Sequence, residues 1–147
     1  MDENNDKIIL EYNVKQNDFK GAGEASSNVK KVLNQLGIDS KLVRRVAIAT
    51  YEAEMNIVIH SYGGRIIVIV SSNEIEIIAH DTGPGIKNIE LAMQEGYSTA
   101  SNQVRELGFG AGMGIPNMKR CSDTFSIQSQ EEMETQVSMK MFITHRK

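Results

Sequence analysis

Cysteine is almost missing from this chain: Cys121 is the single thiol in 147 residues. That excludes an intramolecular disulfide framework and suits a reducing compartment. Cys121 falls in a segment of helical character, so it is expected as a buried small residue rather than a nucleophile. No apolar run approaches the roughly 18 residues that cross a bilayer. The opening MDENNDK is too acidic and polar for a secretory signal. A basic excess is missing too, since the net charge is −3 and the pI about 5.6, which argues against direct nucleic-acid binding. Together these absences predict a cytoplasmic protein with neither a membrane nor a nucleic acid as partner.

What is present fits one domain of ordinary size, with 40% apolar and 24% charged residues. No repeat or low-complexity linker divides residues 1–147, and residues 1–6 are expected as a disordered tail. IILEYNV (8–14) predicts a first strand, and GAGEASSNVKKVLNQLG (21–37) a helix with Val29, Val32, Leu33 and Leu36 at helical spacing. A longer helix follows, capped by Asp39 or Ser40, and keeps its period through Val43, Val46, Ala47, Ala53 and Ile57 until SYGG (61–64) ends it. RIIVIVSS and EIEIIAHD are β-branched runs joined at Asn73, as in a hairpin. Asn88 can cap a short helix, IELAMQE, and residues 97–109 lack periodicity. MGIPNMKRCSD predicts a last helix, TFSIQSQ and TQVSMKMFIT a closing pair of strands. Strands that come in adjacent pairs disfavour a doubly wound parallel fold. They predict an α+β, two-layer sandwich: a mixed, mostly antiparallel sheet covered on one face by helices.

Glycine is unevenly spread. Residues 80–120 hold seven of the twelve glycines and both prolines. The standard phosphate-binding signatures are nevertheless absent. No glycine run ends in the Lys-Ser/Thr of a Walker loop, and the late G-x-G-x-G-x-G does not fit the dinucleotide fingerprint. G-x-S-x-G, H-R-D and D-F-G are missing as well. What remains is GFGAGMGIPNMKR, glycines leading into a helix, where backbone can approach a ligand and free N–H groups attract phosphate. A ligand-free surface loop is an equal reading of that run alone. DTGPG follows a strand and can be a plain turn, yet its Asp81 can also accept a hydrogen bond from a purine amino group.

Glu52, Asn56 and His60 share one helical stripe at i, i+4, i+8. Such a stripe is usually a solvated face, but the surrounding AIATYEAEMNIVIHSY is mostly apolar. An asparagine oxygen can join the shell of a Mg²⁺ that bridges phosphates, and a carboxylate one turn earlier can take a proton from an attacking hydroxyl. His60, His80, His145 and Cys121 have no zinc-ligand spacing.

E-x-x-x-N on a helix, D-x-G-x-G after a strand and G-x-G-x-G before a helix, in this order, resemble the GHKL (Bergerat-fold) ATPases. EAEMNIVIHSYGG, AHDTGPGIKNIELAMQEGYST and GAGMGIPNMKRCSDTFSI narrow the likeness to the bacterial anti-sigma factor and serine/threonine kinase family, nearest the stressosome switch kinases. The likeness covers about residues 8–143. It implies ATP and Mg²⁺ as cofactors, with Glu52 as general base and Asn56 on the metal. It also implies Asp81 on the adenine amino group, with Gly83 and Gly85 shaping the base pocket. Residues 96–109 would be the ATP lid, and Gly110, Gly112 and Gly114 the phosphate cradle. Thr99 matches a lid position that reaches phosphate, and Arg105 is a second lid candidate. The implied activity is phosphorylation of a STAS-type antagonist in a partner switch, with a sigma factor or a phosphatase as further partners. The alternative is a non-catalytic ATP/ADP-binding module that sequesters a sigma factor or other regulator. A histidine-kinase fragment is disfavoured because no dimerisation helix precedes the domain, and a homodimer is left open. Where the family carries Gly-Thr in the last hairpin, this chain has Glu134-Thr135, and its glycine loop starts early with GFG.

Overall fold

The structure is a computed structural model that describes residues 7–83, 114–129 and 134–143. Its elements run β1 (Ile8–Val14), α1 (Glu24–Gln35), α2 (Ser40–His60), β2 (Gly64–Val70), β3 (Glu74–Asp81), α3 (Gly114–Cys121), β4 (Thr124–Ser129) and β5 (Thr135–Phe142). The strands form one sheet in the order β1-β2-β3-β5-β4. Every pairing among the described residues is antiparallel, so the expected parallel admixture is not found there. The helix expected over IELAMQE and the lid expected over 96–109 lie outside the described residues.

Alternation sets the layers. In β2, Ile66, Val68 and Val70 are buried while Arg65, Ile67 and Ile69 point to the opposite face; β3 and β5 keep the same period of two. The buried set packs under α2, whose Val43, Val46, Ala49, Ala53 and Ile57 face the sheet. Each such aliphatic side chain contributes about 1.5–3 kcal/mol on burial. This shared core is what holds α2, and with it Glu52 and Asn56, at a fixed height above the strands. α1 and α3 flank α2 on either side.

The helix ends show what local sequence can and cannot specify. Asp39 caps α2, its Oδ2 accepting from the Lys41 N–H at 3.1 Å. α1 has no side-chain cap of its own: its N-cap is Gly23, at φ 99°. The missing acceptor arrives from α2 instead. Glu54, buried at 3% exposure, takes the Ala25 N–H on Oε2 at 3.1 Å and the Ser26 N–H on Oε1 at 3.4 Å. A carboxylate at the positive end of a helix is also the favourable sign for the macrodipole. Removing it orphans two buried N–H groups, so Glu54→Ala is expected to lose about 1–3 kcal/mol of unfolding free energy. Glu54→Gln, which keeps an acceptor oxygen, should lose less. Urea denaturation of the two variants measures the difference, and equal stabilities would remove the capping role.

At the far end of α2, glycine does a job that a helix stop does not explain. Gly64 is the first residue of β2 and lies opposite Asp81 in the β2–β3 register. A Cβ there would sit 2.8 Å from the Asp81 Cα, and closer still to the His80 carbonyl oxygen. The two strands approach at this point as only glycine permits.

Candidate nucleotide site

The site is built around the second half of α2. Glu52 lies where α3 begins: a Cβ on Gly114 would stand 3.3 Å from its Oε2. Burial pushes the Glu52 carboxyl up from its ordinary range, with the Asn117 side chain of α3 partly holding it down. One turn later Asn56 is half-buried, and nothing among the described residues hydrogen-bonds its amide. His60, last on the stripe, is kept toward its neutral form by burial.

The end of α2 is laced to the end of β3. The Tyr62 N–H donates to the Gly83 carbonyl at 2.8 Å, and the Thr82 N–H donates to the Gly63 carbonyl at 3.0 Å. These bonds carry the turn after Asp81 to the turn after His60. Gly83 turns with φ 110°, a backbone state that side chains rarely adopt. Its N–H then points back at Asp81, 2.9 Å from Oδ1. The Thr135 N–H of β5 donates to the same Oδ1 at 3.2 Å. Both protein donors therefore use one oxygen of a 7%-exposed carboxylate. Among the described residues Oδ2 has no donor. Burial raises the Asp81 carboxyl above its ordinary value, while the Gly83 and Thr135 N–H groups lower it.

The structure thus brings Glu52 against Gly114, and the loop after Asn56 and His60 against Asp81 and Gly83. Gly85, Thr99, Arg105, Gly110 and Gly112 lie outside the described residues. Cys121 closes α3 half-buried, with burial raising its thiol, as expected of a packed residue rather than a nucleophile. Among the described residues no group of three His, Cys, Asp or Glu side chains can hold a metal, and none of their helices is long and apolar enough to cross a membrane. Sequence reasoning passed over Glu54, Asn117 and the Thr135 N–H. Only Glu54 carried a signal, as a second carboxylate in an apolar helix.

A model of the histidine kinase-like ATPase domain matches residues 18–141. Among curated proteins, the serine/threonine-protein kinase RsbT of Bacillus subtilis is 32% identical over 76% of this chain and 79% of its own length. An anti-sigma F factor of Thermoanaerobacter sp. is 35% identical over 65% of this chain and 66% of its own. Another, from Clostridium perfringens, is 28% identical over 91% of this chain and 94% of its own. Among solved structures, the SiaB-SiaC complex of Pseudomonas aeruginosa aligns with TM-score 0.56 at 12% identity, covering 91% of this chain and 89% of the other. The mycobacterial sensor histidine kinase MprB aligns with TM-score 0.52 at 14% identity, covering 92% and 97%. At those identities the structural matches speak for the fold alone. The family model spans most of the chain and the curated relatives agree with it: this protein belongs to the histidine kinase-like (GHKL) ATPase family, on the branch of the bacterial anti-sigma factors and serine/threonine kinases.

Proposed function

We propose that the protein is an ATP- and Mg²⁺-dependent protein-serine/threonine kinase acting in a partner switch, with a STAS-type antagonist as its substrate. The observation that carries this reading is a half-buried carboxylate, Glu52, one helical turn from Asn56, whose amide no described residue hydrogen-bonds, and against the first residue of α3. Nucleotide binding alone has no need of Glu52. Phosphoryl transfer does, since a base must orient the attacking hydroxyl.

The residues present fit the nucleotide. Asp81 Oδ2 would accept from the adenine amino group, and Asn56 would supply one oxygen to Mg²⁺, the phosphates and water supplying the rest. The bound metal would neutralise charge on the transferring phosphoryl group. Glu52 would hold the serine hydroxyl in line and take its proton, and its burial favours a proton acceptor matched to that task. Gly114 can bring backbone near the phosphates because it carries no Cβ. The relatives' names support the same reading, since RsbT is a serine/threonine-protein kinase and the other relatives are anti-sigma factors. A sigma factor or a phosphatase would be the further partner.

The experiment is transfer from γ-labelled ATP to a serine of the cognate STAS partner, isolated from native lysate with the site mapped. Tight binding of partner and ATP without any transfer would leave the sequestering module as the function. The base pocket has its own test. In Asp81→Asn, the Gly83 and Thr135 N–H groups hold the amide oxygen, so the amide nitrogen replaces Oδ2 and an acceptor becomes a donor. Calorimetry is expected to show ATP weakened by about tenfold or more, while ITP, whose 6-keto group accepts, binds no worse. Unchanged ATP affinity would remove Asp81 from the base pocket.

A further inference from the structure

We infer that His80 and Glu134 form a clamp on the open face of the sheet that positions Asp81 for adenine, making both of them positioning residues for nucleotide selectivity. This rests on the reading of Asp81 as the base reader.

Asp81 and Thr135 pair across β3 and β5, at the very start of β5. The Thr135 N–H is one of the two donors that hold Oδ1 and so aim Oδ2. Nothing in the β3–β5 ladder precedes this pair, so the ladder can fray here. The residues immediately before each member, His80 and Glu134, join on the opposite face: His80 Nε2 and Glu134 Oε2 are 2.9 Å apart. The clamp pins the end of β3 to the start of β5 one residue away from the Thr135 N–H.

The electrostatics argue that geometry is the role. The Glu134 charge acts against ionisation of Asp81, whereas His80 favours it, so the two influences oppose each other. An acid beside a ligand-reading carboxylate would be a liability if charge were its contribution. Paired with His80 it costs little, and what it adds is the position of Thr135. A glycine at 134 would have no side chain to make this bond.

The test uses the full chain with Mg²⁺ and either ATP or ITP, titrated calorimetrically. Wild type is expected to prefer ATP. Glu134→Ala should weaken ATP by roughly threefold to fivefold, the scale of one exposed hydrogen-bonded side-chain pair, and leave ITP within twofold. Glu134→Gln, whose amide oxygen still accepts from His80, should recover most of the loss. His80 supplies the second arm: His80→Ala should match Glu134→Ala, and the double variant should lose no more than either single one. Equal losses for ATP and ITP would mean general loosening and overturn the clamp, as would unchanged ATP affinity in Glu134→Ala. A wild type that binds ATP and ITP alike would instead overturn the base-pocket reading itself.

Discussion

Glu52→Ala is expected to bind Mg·ATP nearly as well as the wild type while phosphoryl transfer falls about 10²-fold or more, the usual scale for losing a positioned base. The separation follows from where the carboxylate lies. Glu52 meets α3 through Gly114 and Asn117, whereas Asp81, assigned to the base, sits at the end of β3. Single-turnover transfer and calorimetric binding, run on the same preparation, distinguish the effects. Loss of both together would make Glu52 a binding or structural residue. Unchanged transfer would place the base elsewhere.

The same carboxylate makes a prediction about pH. Its folded-state pKa is raised by burial, so over the window between the ordinary value of 4.5 and the raised one the folded chain holds a proton that the unfolded chain has released. Unfolding stability from this group is therefore fully present below 4.5 and lost as pH climbs through the folded pKa. Glutamine does not titrate. The Tm difference between Glu52→Gln and wild type should accordingly move in the variant's favour from acid toward neutral pH. A difference that stays flat, or moves the other way, would contradict the buried setting of Glu52. The expected drift means that poised activity comes at a cost in stability, as is common for active sites.

Gly64→Ala is the second large effect expected. The added methyl group meets backbone, the His80 carbonyl oxygen and the Asp81 Cα, and neither can rotate away as a side-chain tip would. β2 and β3 must separate where their register ends on Gly64 and Asp81. Overpacking of this kind costs about 1–3 kcal/mol, and for a chain of this length that corresponds to a fall in Tm of roughly 3–12 °C. Because the displaced residue is Asp81 itself, ATP affinity should fall along with stability. An alanine variant with wild-type Tm and wild-type ATP binding would show that the close approach is unnecessary.

Much of the fold was legible along the chain because it rests on local periodicity. Ile8–Val14 is a strand as expected, Glu74–Asp81 is the strand that its β-branched run predicts, and Asp39, one of the two candidates, caps α2. The E-x-x-x-N stripe and the aspartate at a strand end carried the candidate site, since helical spacing and a strand terminus can be counted in one dimension. The helix limits were less legible. The glycine-rich lead into α1 was included in that helix, which begins only at Glu24, because its N-terminal acceptor comes from Glu54 on another element.

What the tertiary structure alone decided are the pairings between distant segments. Gly64 looked like a helix stop and is a point of strand contact; nothing near it in sequence announces His80. Glu134 looked like a departure in a hairpin, and the β3–β5 register turns it into the partner of His80. Asn117 reaches Glu52 only because α3 lies along α2. Composition and period can assign a residue to a strand or a face. Which donor holds which oxygen of Asp81 depends on the strand order β3-β5, and that order is fixed by burial of the whole sheet under α2.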